Sequence, residues 1–191
     1  MSSPILFFSS FLLFVFINPS LAKNWFPLKG FPLKDQENLT TNILDKICQQ
    51  TQDSNFCLRY LNNHTHINTT TIQQLAQTSL ELAKNNANDI YREIKSSVDG
   101  KNEPELKEIF MICSEDYENA IDALGHAGGS LKSGNYPGLR VQASVALQEA
   151  KTCGNKLNYA PNDVAYLRQK NRNFLNQCGI IKAVVSFILQ K

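Results

Sequence analysis

The chain has 191 residues, 42% of them hydrophobic and 19% charged, with a formal net charge of +2. That length supplies one buried core and is short for two. Lysine and arginine are interleaved with the acids along the chain, which excludes the clustered basic face of a nucleic-acid binder and leaves only a weak attraction to an acidic polysaccharide.

Residues 5–17 are almost wholly apolar, too short a run to span a bilayer comfortably, and are followed by Asn18-Pro19-Ser20-Leu21-Ala22. Ser20 and Ala22 provide the small residues that signal peptidase needs, so residues 1–22 read as a signal peptide cleaved after Ala22. The mature chain is then expected to be secreted, with no membrane attachment left. In an oxidising compartment the five cysteines, Cys48, Cys57, Cys113, Cys153 and Cys178, form two bridges and leave one thiol over. Residues 23–40 carry Pro27 and Pro32 in a near repeat, Phe26-Pro27-Leu28-Lys29 and Phe31-Pro32-Leu33-Lys34. Proline at that spacing opposes a helix and predicts an extended or mobile leader.

The domain begins at residue 41. Ile43, Leu44 and Ile47 mark a short helix, residues 56–61 a second, and Cys48 and Cys57 flank the polar connection between them. A bridge between those cysteines would close a helical hairpin over residues 41–62. The polar run that follows holds the sequons Asn63-His64-Thr65 and Asn68-Thr69-Thr70, and Asn38-Leu39-Thr40 precedes the hairpin. Asn38, Asn63 and Asn68 are therefore candidate glycosylation sites, in keeping with secretion. His64 and His66 lie in this same polar run and read as exposed loop residues.

From Ile72 a helical stripe of Leu75, Ala76, Leu82, Ala83, Ala87, Ile90, Ile94 and Val98 continues to Asp99-Gly100. The next helix starts near Pro104, a residue that suits a first turn. Its stripe is Leu106, Phe110, Cys113, Tyr117, Ala120, Leu124 and Leu131, with Gly125, Gly128 and Gly129 weakening its far end. After a break over residues 132–138 the pattern resumes as Leu139, Ala143, Ala146, Leu147, Ala150, Cys153 and Leu157. Both cysteines lie on the facing apolar stripes, which pairs Cys113 with Cys153. Asn162 or Asp163 is placed to cap the last helix, whose stripe runs from Val164 to Ile188 with Cys178 as a buried thiol in its middle. Four long helices with short connections predict an all-α, up-and-down four-helix bundle over residues 71–190, with the hairpin docked on it.

No catalytic constellation accompanies this architecture. The Gly-x-Ser-x-Gly elbow, the His-Glu-x-x-His pair, the phosphate-binding glycine loop and the dinucleotide fingerprint are all missing from the sequence. His126 stands alone near a helix end. Neither a metal nor a cofactor is implied, and the chain reads as something other than an enzyme. One charged pattern stands out: Glu108, Glu115 and Asp122 recur at heptad spacing with Glu118 between the last two. Such a stripe is either a solvated helix face or a recognition surface for a partner with basic groups around its own site. A bundle carrying a small apolar ligand is an alternative of another class, although Ala-rich facing stripes favour close packing over an open cavity.

Residues 113–124, Leu131-Lys132-Ser133-Gly134-Asn135-Tyr136, Ala143-Ser144-Val145-Ala146-Leu147 and Thr152-Cys153 together resemble the plant invertase and pectin methylesterase inhibitor family. The cysteine pair at 48 and 57 and the apolar last helix agree in order and spacing, and the likeness runs from about residue 41 to the C-terminus. The resemblance implies a secreted, extracellular four-helix inhibitor that blocks a cell-wall enzyme by forming a protein complex. Invertase inhibitors of the family typically carry Pro-Lys-Phe in the turn between the two cysteine-bearing helices. Here that turn reads Asn135-Tyr136-Pro137-Gly138-Leu139 and is similar to the Gly-Asp-Tyr-x-x-Leu turn of the pectin methylesterase inhibitors. The resemblance therefore implies pectin methylesterase as the partner, with a cell-wall or vacuolar acid invertase as the alternative. It also implies enzyme-binding roles for Glu115, Asp122 and Thr152, with Asn119 and Asn155 standing where the family often has Asp, and Gln148 departing from its common Thr or Asp.

Overall fold

Thr40 and Asp53 open the first two helices, each accepting a backbone N–H from three residues on: Ile43 to Thr40 at 3.3 Å and Phe56 to Asp53 at 2.8 Å. In the computed structural model, which describes residues 34–67, 69–98, 103–160 and 164–190, these helices are α1 (Thr41–Cys48) and α2 (Ser54–His64). The bundle is made of α3 (Ile72–Val98), α4 (Pro104–Lys132), α5 (Tyr136–Leu157) and α6 (Ala165–Leu189). Helix α4 packs between α3 and α5, and α6 closes the ring against α5 and α3, which places α4 and α6 on opposite corners. Helices α1 and α2 dock on α6. The all-α bundle with its N-terminal hairpin follows the expectation from periodicity. The signal segment 1–22, the leader as far as residue 33, the sequon Asn68 and the anticipated caps Asn162 and Asp163 lie outside the described residues.

Alanine sets how closely the helices approach. Ala76, Ala83 and Ala87 of α3, Ala120, Ala123 and Ala127 of α4, and Ala143, Ala146 and Ala150 of α5 are all buried. Phe110, Tyr117, Tyr136 and Phe174 fill the wider layers. Two of the buried polar residues, Asn171 and Gln177, are paired across helices. The Tyr117 hydroxyl donates to Asn171 Oδ1 at 2.9 Å, tying α4 to α6, and its ring lies 5.4 Å from that of Phe174. Asn86 donates to Gln177, and Gln177 in turn to the Tyr60 hydroxyl, each at 2.8 Å, so one amide joins α3, α6 and α2. Burial around Tyr60 pushes its phenol up to about 12.

Two bridges hold the hairpins, Cys48–Cys57 between α1 and α2 and Cys113–Cys153 between α4 and α5. Cys178 is a free, fully buried thiol, and that burial pushes its pKa well up and keeps it protonated.

The structure adds detail at two places. At the end of the leader residues 34–36 form a 3-10 turn, after which the chain runs extended into α1 and buries Leu39, its N–H donating to the Thr70 carbonyl at 2.7 Å. Burying one leucine and pairing Asn38 with Thr71 in an antiparallel bridge holds this extended stretch against the start of α3. The break between the cysteine-bearing helices also shortens to residues 133–135, because Pro137 sits inside the first turn of α5, where its missing N–H costs nothing.

Candidate functional site

Helix α4 turns its exposed side outward as a stripe of Glu108, Met111, Glu115, Glu118, Asn119, Asp122 and His126. Spacings of three and four keep these residues within one face. On α5 the matching outward stripe is Val141, Val145, Gln148, Thr152 and Asn155. The two helices run antiparallel, and Cys113–Cys153 brings their backbones to a Cα separation of 4.6 Å. Glu115 and Thr152 therefore sit within one turn of the same bridge. Asn119 and Asp122 lead along α4 from there, while Asn155 continues α5 past the bridge. Glu115, Asn119, Asp122 and Asn155 are exposed and Thr152 is half-buried, its hydroxyl donating to the Gln148 carbonyl at 3.2 Å.

Hydrophobic side chains complete this face. Met111 is 57% exposed and Val141 59%, with Val145 less open but still outside the core. Periodicity alone does not single them out. The signal was present nonetheless, since Val141 and Val145 fall off the α5 core stripe while polar residues could have served equally well there.

A further residue escaped the sequence reading. Asp116 lies one position before the core residue Tyr117 and is only 8% exposed, with its Oδ2 lacking any hydrogen-bond partner. Burial, reinforced by Glu149 of α5 and by Glu115, raises its carboxyl to about 6, and Lys156 pulls the other way. The seam behind the exposed face thus holds a carboxyl that resists ionisation.

The turn at the end of the face has its own local logic. Gly134 adopts a φ of 69°, a conformation that glycine accepts without strain. Asn135 then caps α5 by accepting the Gly138 N–H at 3.0 Å, and a Cβ on Gly138 would lie 2.5 Å from the Asn135 amide. Tyr136 and Leu139 are buried, and the Tyr136 hydroxyl donates to Asp35 at 2.8 Å. The Gly-Asn-Tyr-x-x-Leu run is consequently a turn, a cap and two anchors.

Among the described residues no group of His, Cys, Asp and Glu is arranged to hold a metal ion. The His64 ring lies tilted against that of Tyr60, with centroids 4.8 Å apart, and His126 is exposed. Asn38 and Asn63 are exposed. The groove between α3 and α4, about 470 Å³, is open where Gly125 and Gly129 carry no side chain, and Gln73, Gln77, Glu81 and Lys84 line it beside Leu80 and Leu124. Such a lining offers no enclosed apolar chamber for a carried ligand.

Comparison with known proteins agrees with this geometry. The family described as plant invertase/pectin methylesterase inhibitor matches residues 42–184. The chain belongs to that family. A pectinesterase inhibitor of Actinidia deliciosa is 30% identical over 97% of this chain and 95% of its own length. A putative invertase inhibitor of Platanus acerifolia is 24% identical over 75% of this chain and 81% of its own. In three dimensions the fold is similar to a crystal structure of a mutant pectin methylesterase inhibitor from Arabidopsis, with a TM-score of 0.71 and 28% identity, covering 78% of this chain and 98% of that one. Within the family, then, the likeness to pectin methylesterase inhibitors is stronger and longer than the likeness to the invertase inhibitor. No helix among the described residues is long and apolar enough to cross a membrane.

Proposed function

We propose that this chain is a secreted inhibitor of pectin methylesterase, and that it blocks the enzyme's substrate cleft with the outward face of α4 and α5. The observation that carries the reading is the composition of that face: Glu115, Asn119 and Asp122 on one helix and Thr152 and Asn155 on the other, with Met111, Val141 and Val145 in the same stripes. Apolar anchors with a charged surround are what a specific protein interface requires, and inhibition by occlusion needs no chemistry from the inhibitor. The relatives named as pectinesterase inhibitors support this target over an invertase. The buried Tyr136 and Leu139 of the turn support it as well, since that turn lacks Pro-Lys-Phe.

The chain acts on this reading as a binding partner rather than a catalyst, in the apoplast, after cleavage behind Ala22. Purified residues 23–191 titrated against a plant pectin methylesterase are expected to inhibit it stoichiometrically, while cell-wall and vacuolar invertases keep their activity. Inhibition of an invertase alone would reverse the target, and inhibition of neither would remove the function.

A further inference from the structure

On the corner of the bundle away from the acidic face of α4, helix α6 carries Arg168, Lys170, Arg172 and Lys182 and no acidic residue. Between α6 and the end of α5 lies a pocket of about 180 Å³, smaller than the cavities that take drug-sized ligands and suited to one sugar-sized unit. Lys151 and Arg172 stand on its rim, both exposed, and neither side chain makes an ion pair or hydrogen bond with another described residue. Arg168 braces the wall by donating to the carbonyls of Leu157 and Ala160. Among the described residues no carboxylate lines the pocket.

Its inner side is a buried amide. Asn171 is 3% exposed and its Oδ1 is held by the Tyr117 hydroxyl, which leaves Nδ2 as a donor with no protein partner among the described residues. That nitrogen lies against Gly154, where a Cβ would come within 2.6 Å of it, so glycine is what gives the amide room at this wall. Asn155 and Asn158 add amides that both donate and accept.

We propose that this pocket binds a carboxylate-bearing sugar of a de-esterified polyuronide, the class of product that a pectin methylesterase leaves behind. Two cations with a buried amide donor match a carboxylate, and the surrounding amides match ring hydroxyls. The path continues past Arg172 into the groove between α2 and α6, where Arg59 supplies another cation and the stacked rings of Phe56 and Tyr60, 5.4 Å apart, supply an apolar platform. Asp53 at that groove already accepts the Phe56 N–H. This mixture of rings, amides and cations favours a sugar acid chain over an acidic peptide, for which cations alone suffice. Only Asn155 is shared with the proposed enzyme-binding face.

Calorimetric titration of residues 23–191 with a size-defined, fully de-esterified oligogalacturonate, in the absence of any enzyme, tests the site independently of inhibition. Binding is expected, weakening with added salt and falling at least tenfold for the methyl-esterified counterpart. Replacing Lys151→Gln together with Arg172→Gln, both on the surface, is expected to weaken it about tenfold with an unchanged melting temperature. Absence of binding, equal binding of the esterified chain, or full binding by the double variant would overturn the proposal. Equal affinity for a poly-glutamate of the same charge would overturn it in favour of an acidic protein segment.

Discussion

Between α1 and α2 the chain buries Ile43, Leu44, Ile47 and Leu61 around Cys48–Cys57, whereas α4 and α5 meet along their whole length through stripes of alanine, leucine, phenylalanine and tyrosine around Cys113–Cys153. The short hairpin has too little apolar surface to hold itself together and rests on α6. The long one has ample core of its own, so its bridge serves mainly to fix register between the two outward stripes. A disulfide can thus substitute for a core in one place and align the face proposed for binding in another.

Removing each bridge separates these roles. In the loop-entropy account, closing a loop with sequence separation 40 stabilises by about 4 kcal/mol and one with separation 9 by about 3 kcal/mol. Cys113→Ala with Cys153→Ala is therefore expected to lower the unfolding free energy most, by about 4 kcal/mol in a urea titration, and to weaken inhibition under conditions where the chain remains folded. Cys48→Ala with Cys57→Ala is expected to cost less globally but to strip hydrogen-exchange protection from α1 and α2 while α4 and α5 keep theirs. Equal protection throughout the second variant would show that docking on α6, rather than the bridge, holds the short hairpin.

The seam between α4 and α5 adds a pH term in the acid-to-neutral range, whereas the shifted group of the α1–α2 hairpin is Tyr60, in the alkaline range. Asp116 has its carboxyl raised to about 6 in the folded protein, above its unfolded value near 3.8, so the folded state favours the protonated form. Its contribution is fully present below about pH 4 and is lost as pH rises through 6. Asp116→Asn removes that loss and should stabilise the protein by about 1–2 kcal/mol at pH 7, with no gain at pH 3.5. Thermal melts of both forms across that range check the sign. A variant that is less stable at neutral pH would mean that the Asp116 carboxylate is held by Lys156 rather than penalised by burial.

How far the sequence revealed all this depended on how long each pattern ran. Helices α3 to α6 repeat their apolar stripes over six or more turns, and the hairpin is framed by its cysteines, so the architecture was legible. Leu39 was not, because one buried residue after a proline-rich run has no period. Pro137 read as part of a break because proline is tolerated both in loops and in a first helical turn, and only the Asn135 cap distinguishes the two. On the outward face the acids of α4 showed themselves by heptad spacing, a local property. Asp116 is three positions after Cys113, on the margin of the core stripe, and its burial arises only when α5 closes over it.

The outward face itself is expected to divide into residues that hold the enzyme and residues that guide it. Val145→Lys places a charge where an apolar contact is proposed and should raise the dissociation rate, weakening binding about tenfold with little dependence on salt. Glu115→Ala with Asp122→Ala removes two exposed acids, whose effect reaches the partner before contact; it should slow association by a few-fold and flatten its salt dependence, with a smaller change in dissociation. Surface plasmon resonance at two ionic strengths resolves both rates. If the double variant binds with unchanged rates at low salt, the acidic stripe is solvated surface and the apolar positions alone define the interface.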